Sequence, residues 1–528
     1  MRYDVIIIGG GSAGCALAAR LSEDPSRSVL LLEAGPDFVE FERWPVELRD
    51  GYSQEASTPG GPYNWSYQAI GTAEQTRPMQ IARGRAIGGS GSVNGQVFLR
   101  GLPEDYDGWA ASGNDEWAFQ KVLPYFRRLE SDTDIQDDFH GSDGPVPVVR
   151  APRESWHPFQ QAFVSTCVAM GYPANRDMNH PESGGVGAAP MNNPAGIRMS
   201  CALAHLATAR HRLNLTIRGN VVARRILFER GSTGSPRAGA DTAPRAVGVE
   251  AESGGEVFEA FGNEIVVSCS GIASPQLLML SGIGPAEHLK ELGIPLVNHL
   301  PGVGQNLRDH PLVYVDSALR PDYVEPDFGG SRIQTMLRFT TAGSSSRNDM
   351  QLYVNNVASG PSPLGSGPGS DQPTLRMTCI LQQAESAGVL RLVSADPHDK
   401  PHIDYRYLRS ERDRRRLREA VRLCRDILAQ PEFAGIVGTA VSPTEGTLGD
   451  DAALDDWLLY NVFTTFHTSG SCKMGPADDG MAVIDQYCRV HGVNNLRVVD
   501  ISICPDVVRA NTNATAVMIG ERAAAFFQ

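Results

Sequence analysis

A glycine-rich turn near the start of the chain constrains its fold most strongly. The β-branched run from Asp4 to Ile8 is followed by Gly9, Gly11 and Gly14 in the spacing G-x-G-x-x-G. This spacing predicts a buried strand that turns tightly into a helix. The first glycine permits the turn, the second lets the backbone approach a pyrophosphate, and the third allows the helix to pack closely on the strand. The first N–H groups of the helix then face the phosphates.

A second apolar run supports a nucleotide site over an ordinary structural turn. Residues Ser28 to Leu32 predict a second buried strand, and Glu33 follows it 19 residues after Gly14. An acid at this place is expected to hydrogen-bond an adenosine ribose. The two elements together predict a dinucleotide-binding unit, and they fit FAD and NAD equally well.

Composition excludes several classes of protein. The chain has 528 residues and a net charge of −14, which disfavours nucleic-acid binding. Its nine cysteines are scattered without paired spacing, and no cluster of His, Cys, Asp or Glu has metal-ligand spacing, so we expect reduced thiols and no metal. Without a signal peptide or an apolar run of membrane length, we expect a cytoplasmic protein.

Further motifs carry a resemblance to a known family. A glycine-serine loop runs from Gly84 to Asn94, and the stretches Ser274 to Gly284, Pro301 to Leu307 and Val498 to Asp500 follow in order. The chain resembles the glucose-methanol-choline (GMC) family of FAD-dependent oxidoreductases, whose signatures these stretches match. One position departs from the pattern, because Gly271 stands where the family usually has Ala, Ser, Thr or Pro.

The resemblance implies an α/β fold in which a Rossmann-like FAD-binding domain is interleaved with an α+β substrate domain built on an antiparallel sheet. We expect residues 1–150, 196–311 and 461–528 to form the FAD-binding domain. Residues 151–195 and 312–460 then form the substrate-binding domain, with strands at 374–382 and 389–394 and a helix at about 411–430. The loops at 321–332 and 359–372 are candidate lids, although the second is equally well read as a linker.

The motifs and the resemblance together predict the residues that contact FAD. Some members attach FAD covalently through a histidine one place before the signature asparagine, but Val93 stands there, so we expect non-covalent binding. The predicted contacts are Gly9, Gly11, Ser12, Ala13, Gly14, Glu33, Ala34, Arg85, Gly89, Ser90, Val93, Asn94, Val97, Val222, Asp500 and Thr512.

The resemblance also implies the catalytic residues. His467, among the small residues of Phe466 to Gly475, matches the active-site histidine of the family and is the expected base that removes the alcohol proton. Asn511 matches the second catalytic position, where its amide donates to the substrate oxygen. Thr515 stands where the family usually has proline. His310 is the main competitor as base, and we expect it to be structural.

The expected reaction is oxidation of a primary alcohol to an aldehyde by hydride transfer to FAD. Phe98, Thr465 and Phe466 are predicted to line an apolar substrate pocket. Within the family the chain is most similar to bacterial hydroxymethylfurfural oxidase, aryl-alcohol oxidases and choline dehydrogenase-like members, so we expect an aromatic or furanic alcohol and oxygen or another electron acceptor. The alternatives are a choline-type or aliphatic alcohol dehydrogenase with a different acceptor and an FAD-containing hydroxynitrile lyase.

Overall fold

The structure is a computed structural model of the chain, and it describes residues 2–229, 243–324, 326, 329–331, 333–360 and 370–527. Two seven-stranded sheets, one mixed and one antiparallel, organise these residues. This arrangement confirms the predicted fold class.

The helices pack around both sheets, and a π-helical turn at Ala202–Leu206 directly precedes α6. They are α1 (Ser12–Leu21), α2 (Val46–Arg49), α3 (Pro103–Ala111), α4 (Phe119–Leu129), α5 (Pro158–Ala169), α6 (Ala207–Ala209), α7 (Ser270–Leu280), α8 (Ala286–Glu291), α9 (Glu411–Leu428), α10 (Glu445–Leu448), α11 (Asp451–Asn461) and α12 (Asn513–Ala524).

The strands are numbered along the chain. They are β1 (Arg2–Ile8), β2 (Val29–Leu32), β3 (Tyr67–Ala69), β4 (Met79–Ile81), β5 (Glu130–Asp132), β6 (Val146–Val148), β7 (Gly185–Ala188), β8 (Leu215–Arg218), β9 (Val222–Phe228), β10 (Ala246–Ser253), β11 (Glu256–Val267), β12 (Ile283–Gly284), β13 (Asn298–His299), β14 (Pro311–Leu319), β15 (Thr335–Phe339), β16 (Met350–Gly360), β17 (Ser370–Leu381), β18 (Val389–Arg391), β19 (His402–Asp404), β20 (Val437–Ser442), β21 (Phe463–Thr464) and β22 (Leu496–Val498).

The first sheet has the strand order β8-β2-β1-β11-β10-β9, and β22 also pairs with β11. β1 runs parallel to both β2 and β11. All four residues of β2 and the last four of β1 are buried and apolar, as is typical of parallel strands that are covered on both faces. The carboxyl ends of β1 and β2 therefore lie side by side, where a ligand of this fold binds.

Helices from opposite ends of the sequence cover this edge together. A Cβ added at Gly520 in α12 would lie 2.4 Å from the backbone oxygen of Ala13 in α1, so the two helices touch at a point that only glycine permits. The hydroxyl of Ser12 also donates to Oδ1 of Asn513 at 2.8 Å. The starts of α1 and α12 are thereby fixed relative to each other.

The second sheet is antiparallel and has the order β20-β14-β17-β16-β15-β7, with β21 paired to the first residues of β14. The strand predicted at 374–382 is β17, which begins earlier, at Ser370, and ends one residue earlier, at Leu381. The strand predicted at 389–394 is shorter, since β18 ends at Arg391, and it pairs with β19 in a separate two-stranded sheet.

The predicted helix at about 411–430 is α9, which ends two residues earlier, at Leu428. The hydroxyl of Ser410 accepts a hydrogen bond from the N–H of Arg412 and caps its first turn. Most of the predicted lid at 359–372 and part of the one at 321–332 lie outside the described residues. Within the described part of the chain, we find no helix that is both long and apolar enough to span a bilayer.

Candidate active site

A cavity of about 720 Å³ is lined by residues from both sheets. One side is formed by the turn after β1, the glycine-serine loop and the start of α12, and the other by β14, β16, β17 and the turn after β21. A volume of this size lies within the range of about 300–1,000 Å³ that is typical of small-molecule sites. The cavity is therefore the candidate site.

The three glycines after β1 each meet a different steric demand. Gly9 has φ +106°, and an added Cβ would lie 2.3 Å from the backbone oxygen of Ser268. An added Cβ at Gly14 would lie 2.0 Å from the backbone oxygen of Gly9. An added Cβ at Gly11 would have no described atom within 4 Å, and Gly11 lines the cavity. The turn thus leaves its backbone open to a ligand at the middle glycine, as a pyrophosphate requires.

Glu33 lines the same cavity at the end of β2. Its carboxylate accepts hydrogen bonds from the N–H of Gly10 at 2.9 Å and the N–H of Gly35 at 2.8 Å. Burial raises its pKa to about 7, against the opposing effect of these hydrogen bonds. The side chain is fixed beside the turn and still has lone pairs for the hydroxyls of a ribose.

The glycine-serine loop rests directly on the turn. The N–H of Gly88 donates to the backbone oxygen of Gly10 at 2.7 Å. Gly89 has φ +55°, and an added Cβ there would lie 2.7 Å from Cα of Gly11. The small residues of this loop are required because two backbones meet, and the loop then continues along the cavity wall.

Most residues predicted to contact the cofactor line this cavity. They are Gly9, Gly11, Ser12, Ala13, Glu33, Ala34, Gly89, Ser90, Val93, Asn94, Val97, Val222, Asp500 and Thr512. Two do not reach the wall, because Gly14 packs on Gly9 and the guanidinium of Arg85 lies 5.2 Å from the ring centroid of Trp65. The set has the shape and donors that FAD requires: an open phosphate turn, a ribose acceptor and a long adjoining wall.

His467 and Asn511 meet at the wall between the two sheets. Nδ2 of Asn511 lies 3.4 Å from Nε2 of His467, and both residues line the cavity. Oδ1 of Asn511 lies 3.5 Å from Nε2 of Gln351, which belongs to β16. The amide group of Asn511 is thereby directed with its donor towards His467 and the cavity.

His310 determines which nitrogen of His467 carries the proton. Its Nε2 lies 2.8 Å from the backbone oxygen of Val508, which can only accept, so this nitrogen carries hydrogen. Burial lowers the pKa of His310 to about 3, so the ring is neutral and its Nδ1 is an acceptor. Nδ1 of His467 lies 2.8 Å from that acceptor and must donate. Burial, then His310 and Arg83, lower the pKa of His467 well below its usual range, so its Nε2 is an unprotonated base.

The turn that presents His467 is held in a restricted conformation. Phe466 has φ +63°, which is uncommon for an aromatic residue. The backbone oxygen of Phe466 accepts from Nη1 of Arg83 at 2.6 Å, and the N–H of His467 donates to Oδ1 of Asp309 at 2.8 Å. Asp309 also accepts from the hydroxyls of Thr464 and Tyr407. Such over-determined strain is typical of functional sites.

The predicted substrate residues separate into two groups. Thr465 and Phe466 line the cavity, whereas Phe98 is fully buried and does not. Sequence reasoning missed Arg83, Asp309 and the contact of His310 with His467. The triplet Asp309-His310-Pro311 was the available signal, but only the pairing of β14 with β21 brings it beside His467.

A cluster of ionisable groups lies apart from the cavity. Glu130, Asp132 and His140 lie close enough to hold a metal ion, although their spacing did not predict one. Arg150 forms an ion pair with Asp132 at 2.8 Å, and Arg100 contacts Glu130. Burial would lower the pKa of His140, but its carboxylate partners raise it to about 11. The acids are thus neutralised by side chains of the protein.

Comparisons with known proteins show the family of the chain. Family models described as GMC oxidoreductase match residues 3–312 and residues 384–520. The oxygen-dependent choline dehydrogenase of Vibrio vulnificus (strain YJ016) is 38% identical over 543 residues, which cover 99% of this chain and 93% of that protein. An oxygen-dependent choline dehydrogenase of Chromohalobacter salexigens is 37% identical, with 99% and 94% covered.

Solved structures share the whole fold. The crystal structure of pyridoxine 4-oxidase from Mesorbium loti superposes with a TM-score of 0.88 at 30% identity, covering 100% of this chain and 99% of that one. A fungal aryl-alcohol oxidase superposes with a TM-score of 0.82 at 22% identity, covering 99% and 98%, and at that identity the likeness concerns the fold alone.

Proposed function

This chain belongs to the GMC oxidoreductase family, and we propose that it oxidises a primary alcohol to an aldehyde with His467 as the catalytic base. The observation that carries the proposal is the hydrogen bond from Nδ1 of His467 to Nδ1 of His310, which leaves Nε2 of His467 free to accept a proton at the cavity wall. Asn511 lies beside that nitrogen at 3.4 Å.

FAD is held, in this proposal, by the turn after β1, Glu33, the glycine-serine loop and the start of α12, and when bound it supplies the hydride acceptor. The turn directs N–H groups at the pyrophosphate, and Glu33 accepts from the ribose. Binding is non-covalent, because Val93 lies in the wall where covalent members of the family carry histidine.

The protein's own residues handle the alcohol proton. The substrate hydroxyl donates to Nε2 of His467 while its oxygen accepts from Nδ2 of Asn511. His467 takes the proton as the hydride leaves the carbinol carbon, and the Asn511 amide stabilises the negative charge that develops on oxygen. The imidazolium that forms on His467 is stabilised by the neutral His310, which still accepts from its Nδ1.

The substrate side of the cavity favours an alcohol with an aromatic body. Leu312 and Tyr314 of β14, Tyr353 of β16, and Ile333 and Phe466 line it. An aryl or furanic ring gains dispersion and edge-to-face contacts with this set, at about 0.5–1.5 kcal/mol for each aromatic pair. We therefore place a primary aromatic or furanic alcohol first among the substrates.

A choline-type alcohol is the second candidate, and the sequence identity of 38% and 37% between this chain and two choline dehydrogenases favours it. Aromatic rings such as those of Tyr314 and Tyr353 attract a quaternary ammonium group. However, the described carboxylates that line the cavity belong to Glu33, Asp399 and Asp500, and β14, β16 and β17 contribute none. The described part of the substrate wall thus supplies no countercharge for a cation.

Anaerobic stopped-flow bleaching of the flavin by benzylic, furanic, aliphatic and choline-like alcohols tests the proposal. We expect aryl alcohols to bleach it fastest, and admission of air then measures oxygen as an acceptor. His467→Ala should slow reduction about 10²- to 10⁴-fold, whereas His402→Ala, which changes an exposed side chain at the start of β19, should leave it unchanged. If no alcohol bleaches the flavin and mandelonitrile is cleaved, the protein is a lyase and the proposal is wrong.

A further inference from the structure

One face of the antiparallel sheet carries three successive layers of side chains, and five of their members line the substrate side of the cavity: Leu312, Tyr314, Tyr353, Asn355 and Arg376. Residues directly opposite in an antiparallel ladder point to the same face, and so do residues two positions apart along a strand. The first layer is Leu312, Ile380 and Gln351, the second is Tyr314, Thr378 and Tyr353, and the third is Asp316, Arg376 and Asn355.

The layers are ordered by their distance from the catalytic residues. Gln351 of the first layer contacts Asn511, and Leu312 follows two residues after His310. Each further layer adds two residues along β14, or roughly 7 Å. The third layer therefore lies roughly 13 Å further along the strand than the first. The wall changes from apolar to hydroxyl-bearing to charged over this length.

Arg376 is the cation of the third layer and lines the cavity. Its Nε and Nη2 donate to the two carboxylate oxygens of Asp316, each at 2.8 Å, and its guanidinium carbon lies 4.5 Å from the ring centroid of Tyr314. The residue is 8% exposed. Its third nitrogen, Nη1, makes no hydrogen bond within the described residues, although a guanidinium can donate through all three nitrogens.

The ion pair also determines which charge this end of the cavity accepts. The Asp316 carboxylate is satisfied by Arg376, so the pair is neutral as a whole, and Arg376 lines the cavity whereas Asp316 does not. An acceptor oxygen gains a charge-assisted hydrogen bond there, because its donor is a cation. A quaternary ammonium group has no N–H to donate and would meet the positive side of the pair.

From this arrangement we infer that Nη1 of Arg376 binds an acceptor oxygen at the distal end of the substrate, so that the preferred alcohol is elongated, with an aromatic body and a carboxylate or carboxamide opposite its carbinol. This inference rests on the proposed alcohol oxidation. The guanidinium leans over Tyr314, so the distal group lies one to two layers from the catalytic end, or roughly 7–13 Å.

A series of rigid aryl and biaryl primary alcohols tests the inference. Their distal substituent is a carboxylate, a carboxamide, a methyl or a trimethylammonium group, and anaerobic flavin reduction yields an apparent Kd and a limiting rate for each. We expect the carboxylate and the carboxamide to bind at least about tenfold more tightly than the methyl compound, as for one hydrogen bond to a charged group. The trimethylammonium compound should bind most weakly, and the limiting rates should be similar.

The test variant is the double substitution Arg376→Gln/Asp316→Asn, which removes both charges without leaving one buried alone. It should abolish the preference for the acceptor groups while leaving the Kd of the methyl compound close to that of the wild type. Arg425→Gln is the matched control, because Arg425 bonds to Ser317 on the opposite face of β14 and does not line the cavity. Calorimetric titration with the corresponding methyl ethers measures binding independently of turnover.

The outcomes separate the two proposals. If the methyl compound bleaches the flavin but the distal group has no effect on Kd, the inference about Arg376 is wrong and the oxidation stands. A preference for trimethylammonium, or an acceptor preference that survives the double substitution, also overturns it. If no member of the series bleaches the flavin, the proposed oxidation itself fails, and the ether titrations still report on the distal site.

Discussion

Replacing His310 measures how much the orientation of His467 contributes to the reaction. In His310→Phe a ring of similar size remains, but the acceptor for Nδ1 of His467 is lost. A typical intramolecular hydrogen bond contributes about 0.5–1.5 kcal/mol net. The population of the tautomer with a free Nε2, relative to the other tautomer, should therefore fall roughly 2- to 12-fold, at about 1.4 kcal/mol for each factor of ten.

The limiting rate of anaerobic flavin reduction should fall by up to this factor, with little change in the apparent Kd of the alcohol. The fall is much smaller than the 10²- to 10⁴-fold loss expected for His467→Ala, because the base is still present. His310→Asn is the matched control. Its Oδ1 takes the place of Nδ1 and should keep the rate close to that of the wild type.

Two results would refute the reasoning about His310. If His310→Phe reduces the flavin at the wild-type rate, the hydrogen bond does not select the tautomer. If the Phe and Asn variants are equally slow, His310 acts through packing. Flavin content and circular dichroism of each variant must match the wild type for either comparison to hold.

Three further predictions concern pH and stability. Because burial holds the pKa of His467 well below its usual range, the acidic limb of the flavin-reduction rate should lie below pH 6.5, and a limb above pH 7 would contradict this. Gly14→Ala should abolish flavin retention, since its Cβ would lie 2.0 Å from the backbone oxygen of Gly9, whereas Gly108→Ala, with open space around it, should retain flavin. The pKa of His140 is raised to about 11, so its protonated form stabilises the fold fully below pH 6.5 and progressively less as pH rises towards 11. The free energy of unfolding of His140→Gln, measured with denaturant, should therefore approach that of the wild type at high pH.

Local spacing predicted most residues that line the candidate cofactor side. Gly14 packs on Gly9 within one strand-turn-helix unit and Glu33 follows its strand directly, although Gly9 also packs on Ser268 from a distant segment. The wall of the substrate side depends instead on long-range pairing. Arg376 faces Asp316 across 60 residues, and only the register of β14 with β17 aligns them.

The same limit applies around the proposed catalytic histidine. His467 and His310 are separated by 157 residues, and the preceding Phe466 has a left-handed backbone that no propensity predicts. The ring nitrogens also depend on the backbone oxygen of Val508. The sequence therefore indicated His467 itself, whereas the protonation pattern of its ring depends on contacts between three segments that are distant in the sequence.

The contact between α1 and α12 has a consequence for the order of events during synthesis. The phosphate turn is synthesised about 500 residues before Asn513 and Gly520, which fix it. At about 5–20 residues per second, translation of the intervening 500 or so residues takes roughly 25–100 s. Until β11 has been synthesised, β1 also lacks this parallel neighbour in the sheet. We therefore expect stable flavin retention only after α12 has been made, and a stalled nascent chain that ends before residue 513 should not retain flavin.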